Sequence, residues 1–195
     1  IEQCYQEFIR KIKVFSKEIN IIIKFSGLID FIVTKAYIAQ EFNYCKPIID
    51  ANAEKSYFDA TAIRHPLIEH INTEEIYEPN DISLGKCING TLLYGTNAVG
   101  KSSLIKSIGM TTIMAQAGMY VPCSSFRFKP YQIISTRILG NDNLFKGLSS
   151  FAVEMSELKT ILSIANENTL ILGDELCSGT ETKSALSIFA ASLIM

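Results

Sequence analysis

Residues 95–103 read Gly95-Thr96-Asn97-Ala98-Val99-Gly100-Lys101-Ser102-Ser103, which satisfies G-x-x-x-x-G-K-[ST] without a mismatch. Two glycines let a backbone wrap round an anion so that successive N–H groups point inward. A helix starting at the lysine adds its unpaired N–H groups and the positive end of its dipole. Lys101 would reach the outer phosphates as a point charge, and the Ser102 hydroxyl suits a Mg²⁺ position. The flanks fit: Thr91-Leu92-Leu93-Tyr94 is a short apolar run that predicts a strand, and Lys101 to about Ala117 has a helical pattern.

Further along, Leu170-Ile171-Leu172-Gly173 predicts a buried strand that ends in Asp174 and Glu175. Ligands of parallel sheets gather at the carboxyl ends of strands, which would bring both acids beside the glycine loop. There Asp174 would hold Mg²⁺ through water, and Glu175 would polarise an attacking water as general base. Taken alone, an acidic pair after an apolar strand is as often a solvated strand end. Paired with the loop, it points to a nucleoside triphosphatase.

Between these two features, Ile133 to Ile138 predicts a strand, and Phe151, Met155, Leu158, Ile161, Leu162 and Ala165 mark one face of a helix. Strand and helix therefore alternate from about position 90, the pattern of an α/β layer with parallel strands. The helix at 151 begins beside Ser149 and Ser150. A serine there could meet the γ-phosphate of a partner protomer, as in ATPases that hydrolyse across a dimer, or could merely cap the helix. The residues alone leave both readings open.

The amino-terminal part differs. Apolar residues at 1, 5, 8, 9, 12, 15, 19, 22 and 23 share a helical face. Ser26-Gly27 is expected to end that helix, and a second would run from about Leu28 to Asn43. These residues predict a helical arm over 1–45, with two helices of an ordinary bundle as the plain alternative. From 46 onward Pro47, Pro66, Pro79, Gly85 and Gly90 punctuate turns and short strands. The domain division expected is an arm over 1–45 and a phosphate-loop domain over 46–195, with no internal repeat.

Eighteen basic and twenty acidic residues give a net charge of −2, which excludes a strongly basic body gripping nucleic acid by charge alone. No apolar stretch has the ~18–20 residues needed to span a bilayer. Five cysteines, none in C-x-x-C spacing, read as reduced and mostly buried thiols rather than a zinc site. His65 and His70 have no metal-ligand neighbours at suitable spacing. An intracellular, soluble protein is expected. The apolar run at the end and a start inside a helix suggest a piece of a longer polypeptide.

Several stretches in one order carry a resemblance: Asn43-Tyr44-Cys45-Lys46-Pro47, Arg64-His65-Pro66, Tyr77-Glu78-Pro79-Asn80-Asp81, the glycine loop, Tyr120-Val121-Pro122, Thr136-Arg137-Ile138 before Asp142, Ser149-Ser150-Phe151, and Asp174-Glu175 leading to Gly179-Thr180. From about position 28 onward the chain resembles the ATPase core of the MutS family of DNA mismatch-repair proteins. The resemblance implies an ABC-type P-loop core binding ATP and Mg²⁺, with Gly95, Thr96, Asn97, Ala98, Val99, Gly100, Lys101, Ser102 and Ser103 round the phosphates. It implies that Tyr77 stacks on adenine, against the plain alternative of a half-buried tyrosine at a strand edge. It implies Ser149 or Ser150 acting across a dimer, with residues 1–45 as lever and connector helices. The partners implied are a second MutS-type protomer and mismatched double-stranded DNA, the latter held by domains outside this chain. Thr96, Ala98, Val99 and Ser103 depart from the family's usual Gly-Pro-Asn-Met-Gly-Gly-Lys-Ser-Thr. Ser150 stands for its threonine, and Cys177-Ser178-Gly179-Thr180 for its Gly-Arg-Gly-Thr, which marks a divergent branch. Two other readings fit a phosphate loop. Another ABC-type DNA ATPase should carry a long coiled coil and a leucine-serine-glycine-glycine signature. A nucleotide-binding scaffold without turnover is at odds with an intact Glu175.

Overall fold

The computed structural model describes residues 2–71, 77–97, 99–137, 150–174 and 182–194. Two compact units divide at Asn43/Tyr44. The first holds α1 (Glu2–Lys13) and α2 (Ser16–Glu41). Neither helix has a buried residue, and apolar side chains such as Phe8, Phe15, Ile22, Phe25 and Phe31 are exposed. The break between helices falls at Val14-Phe15, and Ser26-Gly27 lies inside α2, contrary to expectation. A glycine in a helix interior costs only about 1 kcal/mol relative to alanine, which does not by itself end a helix. Asn43, at φ +51, ends α2 in the left-handed conformation common after a helix C-terminus.

The second unit begins with β1 (Ile48–Ile49), β2 (Tyr57–Ile63), the single turn α3 (Ile68–Ile71) and β3 (Asn80–Leu84). α4 (Lys101–Gln116) and β4 (Ser125–Lys129) follow, then β5 (Ile133–Arg137), α5 (Ser150–Ile164), β6 (Thr169–Gly173) and α6 (Thr182–Ile194). A four-stranded sheet has the order β1-β4-β2-β3, antiparallel except for the β1–β4 pair. β4 was not expected, although Ser125-Phe126-Arg127-Phe128-Lys129 alternates as a half-buried strand should. Phe126 and Phe128 face inward, opposite Ala60 and Phe58 on β2. Phe58, Phe126 and Phe128 form a ring cluster with centroid separations of 4.6 and 4.9 Å. A bulge shifts the β2–β3 register between Ala60 and Ile63. Its residue Ala62 has φ +51, and its N–H donates to Asp81 Oδ1 at 2.8 Å, so the amide that leaves the ladder is still paired.

β5 and β6 form a separate parallel pair, in register from Ile133 opposite Thr169 to Arg137 opposite Gly173. α4 lies between this pair and the larger sheet: one buried cluster contains Ile108 and Ala115 of α4, Phe58 and Phe128 of the large sheet, and Leu170 and Leu172 of β6. The expected strand at Thr91–Tyr94 is not formed, and Leu92 and Tyr94 are 67% and 91% exposed. A four-residue apolar run becomes a strand only when a neighbour offers its ladder. Among the described residues β5 and β6 pair with each other, and neither pairs with this run.

Candidate nucleotide site

The glycine loop leads directly into α4. Gly100, the residue before the helix, has φ +91, a left-handed conformation that glycine alone adopts freely. Among the described residues no side chain caps the helix, and its first turn has no acidic residue, which leaves its N–H groups and positive dipole end available to an anion. Gly95, Thr96, Asn97, Val99 and Gly100 are all exposed, while Ser102 and Ser103 are half-buried in the first turn. Lys101 Nζ donates to the carbonyls of Gly95 at 2.9 Å and Thr96 at 2.6 Å, which closes the loop round the ammonium. A Cβ built on Gly95 would come within 3.2 Å of Val99 Cγ2, so the loop also closes tightly on its own side chains. Open amides, an ammonium and a hydroxyl are the donor set a polyphosphate requires.

Asp174 follows β6, and its N–H donates to the Arg137 carbonyl at 2.8 Å, fixing the end of β6 against the end of β5. β6 in turn packs on α4, where a Cβ added at Gly109 would meet Leu172 Cδ1 at 2.9 Å. Glycine thus leaves room for the Leu172 side chain where the loop helix meets β6. Among the described residues no three His, Cys, Asp or Glu side chains gather as a metal site. Ser102 and Asp174 suit a hard cation that takes one or two protein oxygens and completes its shell with phosphate and water. Arg137 also pairs with Glu157 of α5, Nε to Oε2 at 3.0 Å. Ser149, Glu175 and Ala98 lie outside the described residues; Ser150 starts α5, and its side chain is likewise not described.

Tyr77 is half-buried, three residues before β3, with its Oη 3.4 Å from Ser107 Oγ on α4. Tyr77 thus touches α4 while leading into β3, the edge strand of the larger sheet.

Three of the remote stretches quoted above meet in one knot whose role the sequence did not disclose. Cys45 and Val121 exchange backbone hydrogen bonds, and the Arg64 N–H donates to the Pro122 carbonyl at 2.9 Å. The Tyr44 phenol donates to Glu69 Oε1 at 2.9 Å, and Arg64 Nε pairs with Glu69 Oε2 at 2.8 Å. Burial, then the Glu69 hydrogen bond, push the Tyr44 phenol well above its ordinary range. His65 is buried and its Nδ1 accepts the N–H groups of Leu67 and Ile68, both at 3.2 Å, which requires that nitrogen unprotonated. Burial, then the nearby Lys106, lower its pKa. Cys45 and Cys123 are free thiols raised by burial, Cys123 to about 12. Cys4 and Cys87 are free and exposed, so the thiols are less uniformly buried than expected. A second tie joins the sheets: Ser56 Oγ donates to the Pro130 carbonyl at 2.7 Å, and the Ser56 N–H donates to Asn168 Oδ1, just before β6, at 3.0 Å.

The family model MutS domain V matches residues 91–194. A mutS homolog of Acanthamoeba polyphaga mimivirus is 40% identical across 89% of this chain and 19% of its own length. The mitochondrial DNA mismatch repair protein mutS homolog of Sarcophyton glaucum is 39% identical, covering 99% of this chain and 20% of its own length. The DNA mismatch repair protein MutS of Staphylococcus saprophyticus is 35% identical over 99% of this chain and 22% of its own length. The chain spans about a fifth of the length of these relatives. No helix among the described residues is long and apolar enough to cross a membrane. With its glycine loop, the helix that follows and the strand ending at Asp174 all inside the matched segment, the chain belongs to the MutS family and carries its domain V.

Proposed function

We propose that this chain is the ATP-binding and ATP-hydrolysing core of a MutS-type DNA mismatch-repair protein, on an ABC-type P-loop fold. The observation that carries the reading is the uncapped, acid-free N-terminus of α4 with Lys101 curled into its glycine loop, on a helix packed against the strand that ends at Asp174. Residues 95–103 would hold the phosphates of ATP through backbone N–H groups. Lys101 would exchange its bonds to the Gly95 and Thr96 carbonyls for phosphate oxygens. Bound Mg²⁺ would neutralise charge on those oxygens. Ser102 and Asp174 would hold it, Asp174 through water and with its backbone fixed by Arg137. Glu175 would orient and deprotonate the attacking water, and Tyr77 would flank the base.

Ser149 or Ser150 would act on the nucleotide of a second MutS-type protomer, which makes hydrolysis dimer-dependent. Residues 1–45 would be the lever that relays closure of the dimer to a clamp on mismatched double-stranded DNA, formed by parts of the protein outside this chain. The relatives are named as mismatch-repair proteins, which supports this role.

The test is ATP turnover by the full-length protein with and without mismatched DNA. Glu175→Ala should lower turnover at least about a hundredfold, in the range for loss of a general base, while nucleotide binding persists. Wild-type turnover in that variant would refute the assignment of the base.

A further inference from the structure

Tyr77 belongs to no strand or helix, yet its phenol is held. Ser107, on the second turn of α4, is fully buried, and its Oγ donates to the Ser103 carbonyl at 2.8 Å, a bond to the fourth residue back. A serine hydroxyl has one proton to give. With that proton on Ser103, the Tyr77 phenol is the donor in the 3.4 Å contact with Ser107 Oγ. The two hydroxyls thus form a chain from Tyr77 through Ser107 to the backbone carbonyl of Ser103, in the first turn of α4.

We propose that Ser107 is a positioning residue for Tyr77, tying the ring that would flank the base to the helix that follows the phosphate loop; this rests on the reading of residues 95–103 and Tyr77 as a nucleotide site. The tie needs the phenol oxygen, which a phenylalanine lacks. A ring already oriented by α4 loses less freedom when the base arrives, and preorganisation of this kind appears as affinity. Ser107 touches no substrate and acts only through Tyr77, so its effect belongs to binding and not to the chemical step.

The experiment is equilibrium binding of Mg-ATP and steady-state turnover in the full-length protein carrying Tyr77→Phe, Ser107→Ala or both. Each single substitution should raise Kd and KM about threefold, the scale of one neutral hydrogen bond, with kcat unchanged. The double variant should bind no more weakly than either single variant, because both break one chain. Additive losses, a fall in kcat at unchanged KM, or wild-type affinity in Tyr77→Phe would each overturn the proposal. If Ser107→Ala lowers the melting temperature, Tyr77→Phe decides alone, since it removes a single half-buried oxygen. Lys101→Ala separates the two levels. If it too binds Mg-ATP normally, the nucleotide site itself is misassigned; if it alone loses binding, the site stands and the tie through Ser107 fails.

Discussion

The two sheets of the second unit are made on different terms. The four-stranded sheet is centred on β2 and β4, whose Phe58, Phe126 and Phe128 are all at or below 1% exposure, while β1 and β3 at its edges have no buried residue. The parallel pair β5–β6 has two strands, and the apolar run before the glycine loop stands apart from it with Leu92 in solvent. Both sheets join strands distant in sequence, β2 with β4 from Tyr57 opposite Lys129 and β5 with β6 from Ile133 opposite Thr169, and among the described residues neither ladder reaches the run at 91–94. The loop and α4 are nonetheless formed, because α4 is seated on both sheets at once. The site is therefore supported from its helix, and the unpaired run ahead of the loop contributes little to it.

That contrast gives a graded set of expectations. The largest effect belongs to the ring cluster: Phe126→Ala should destabilise by about 3–5 kcal/mol in denaturant unfolding. Next comes the knot. Glu69→Ala removes the carboxylate that pairs with Arg64 and accepts from the Tyr44 phenol, and should cost about 1.5–3 kcal/mol by the same measurement. On the α4–β6 contact, Gly109→Ala gains helix propensity but drives a methyl into Leu172, for a net loss of about 1 kcal/mol.

His65 adds a pH dependence. Its folded pKa lies below the unfolded value of about 6.5, so the unfolded state binds its proton first. Its contribution is complete above that value and is lost as pH falls through the folded pKa. His65→Asn should flatten the decline of melting temperature below pH 6.5. The smallest effect belongs to the exposed run, where Leu92→Ala should fall within about 0.5 kcal/mol of wild type. A loss there comparable to that of Phe126→Ala would mean that the run is a buried strand after all, and the contrast between the sheets would collapse.

Much of the site could be read from local chemistry. Glycines, lysine and serine at fixed offsets dictate a loop running into a helix, and α4 starts at Lys101 as that spacing requires. β5, α5 and β6 were legible for the same reason, since each has one clear period. What escaped depends on partners distant in sequence. Thr91–Tyr94 has the composition of a strand but no ladder beside it. β4 shows the right alternation, yet only its pairing with β2 reveals that an antiparallel sheet covers α4. The short stretches at 43–47, 64–66 and 120–122 could be recognised one by one, but their common purpose, a knot round Glu69 and Val121, exists only in three dimensions. Gly109 gave no signal, because a glycine in a helix looks like a defect until the leucine opposite it is seen.

The central claim is that the N-terminus of α4 with Lys101 is a nucleotide-phosphate site. It is tested most directly by titrating Mg-ATP into the full-length wild-type protein and its Lys101→Ala variant at equilibrium. Wild type should bind, and Lys101→Ala should bind at least about tenfold more weakly, the scale of one lost charge-assisted hydrogen bond. Equal affinity in a folded variant would contradict the account.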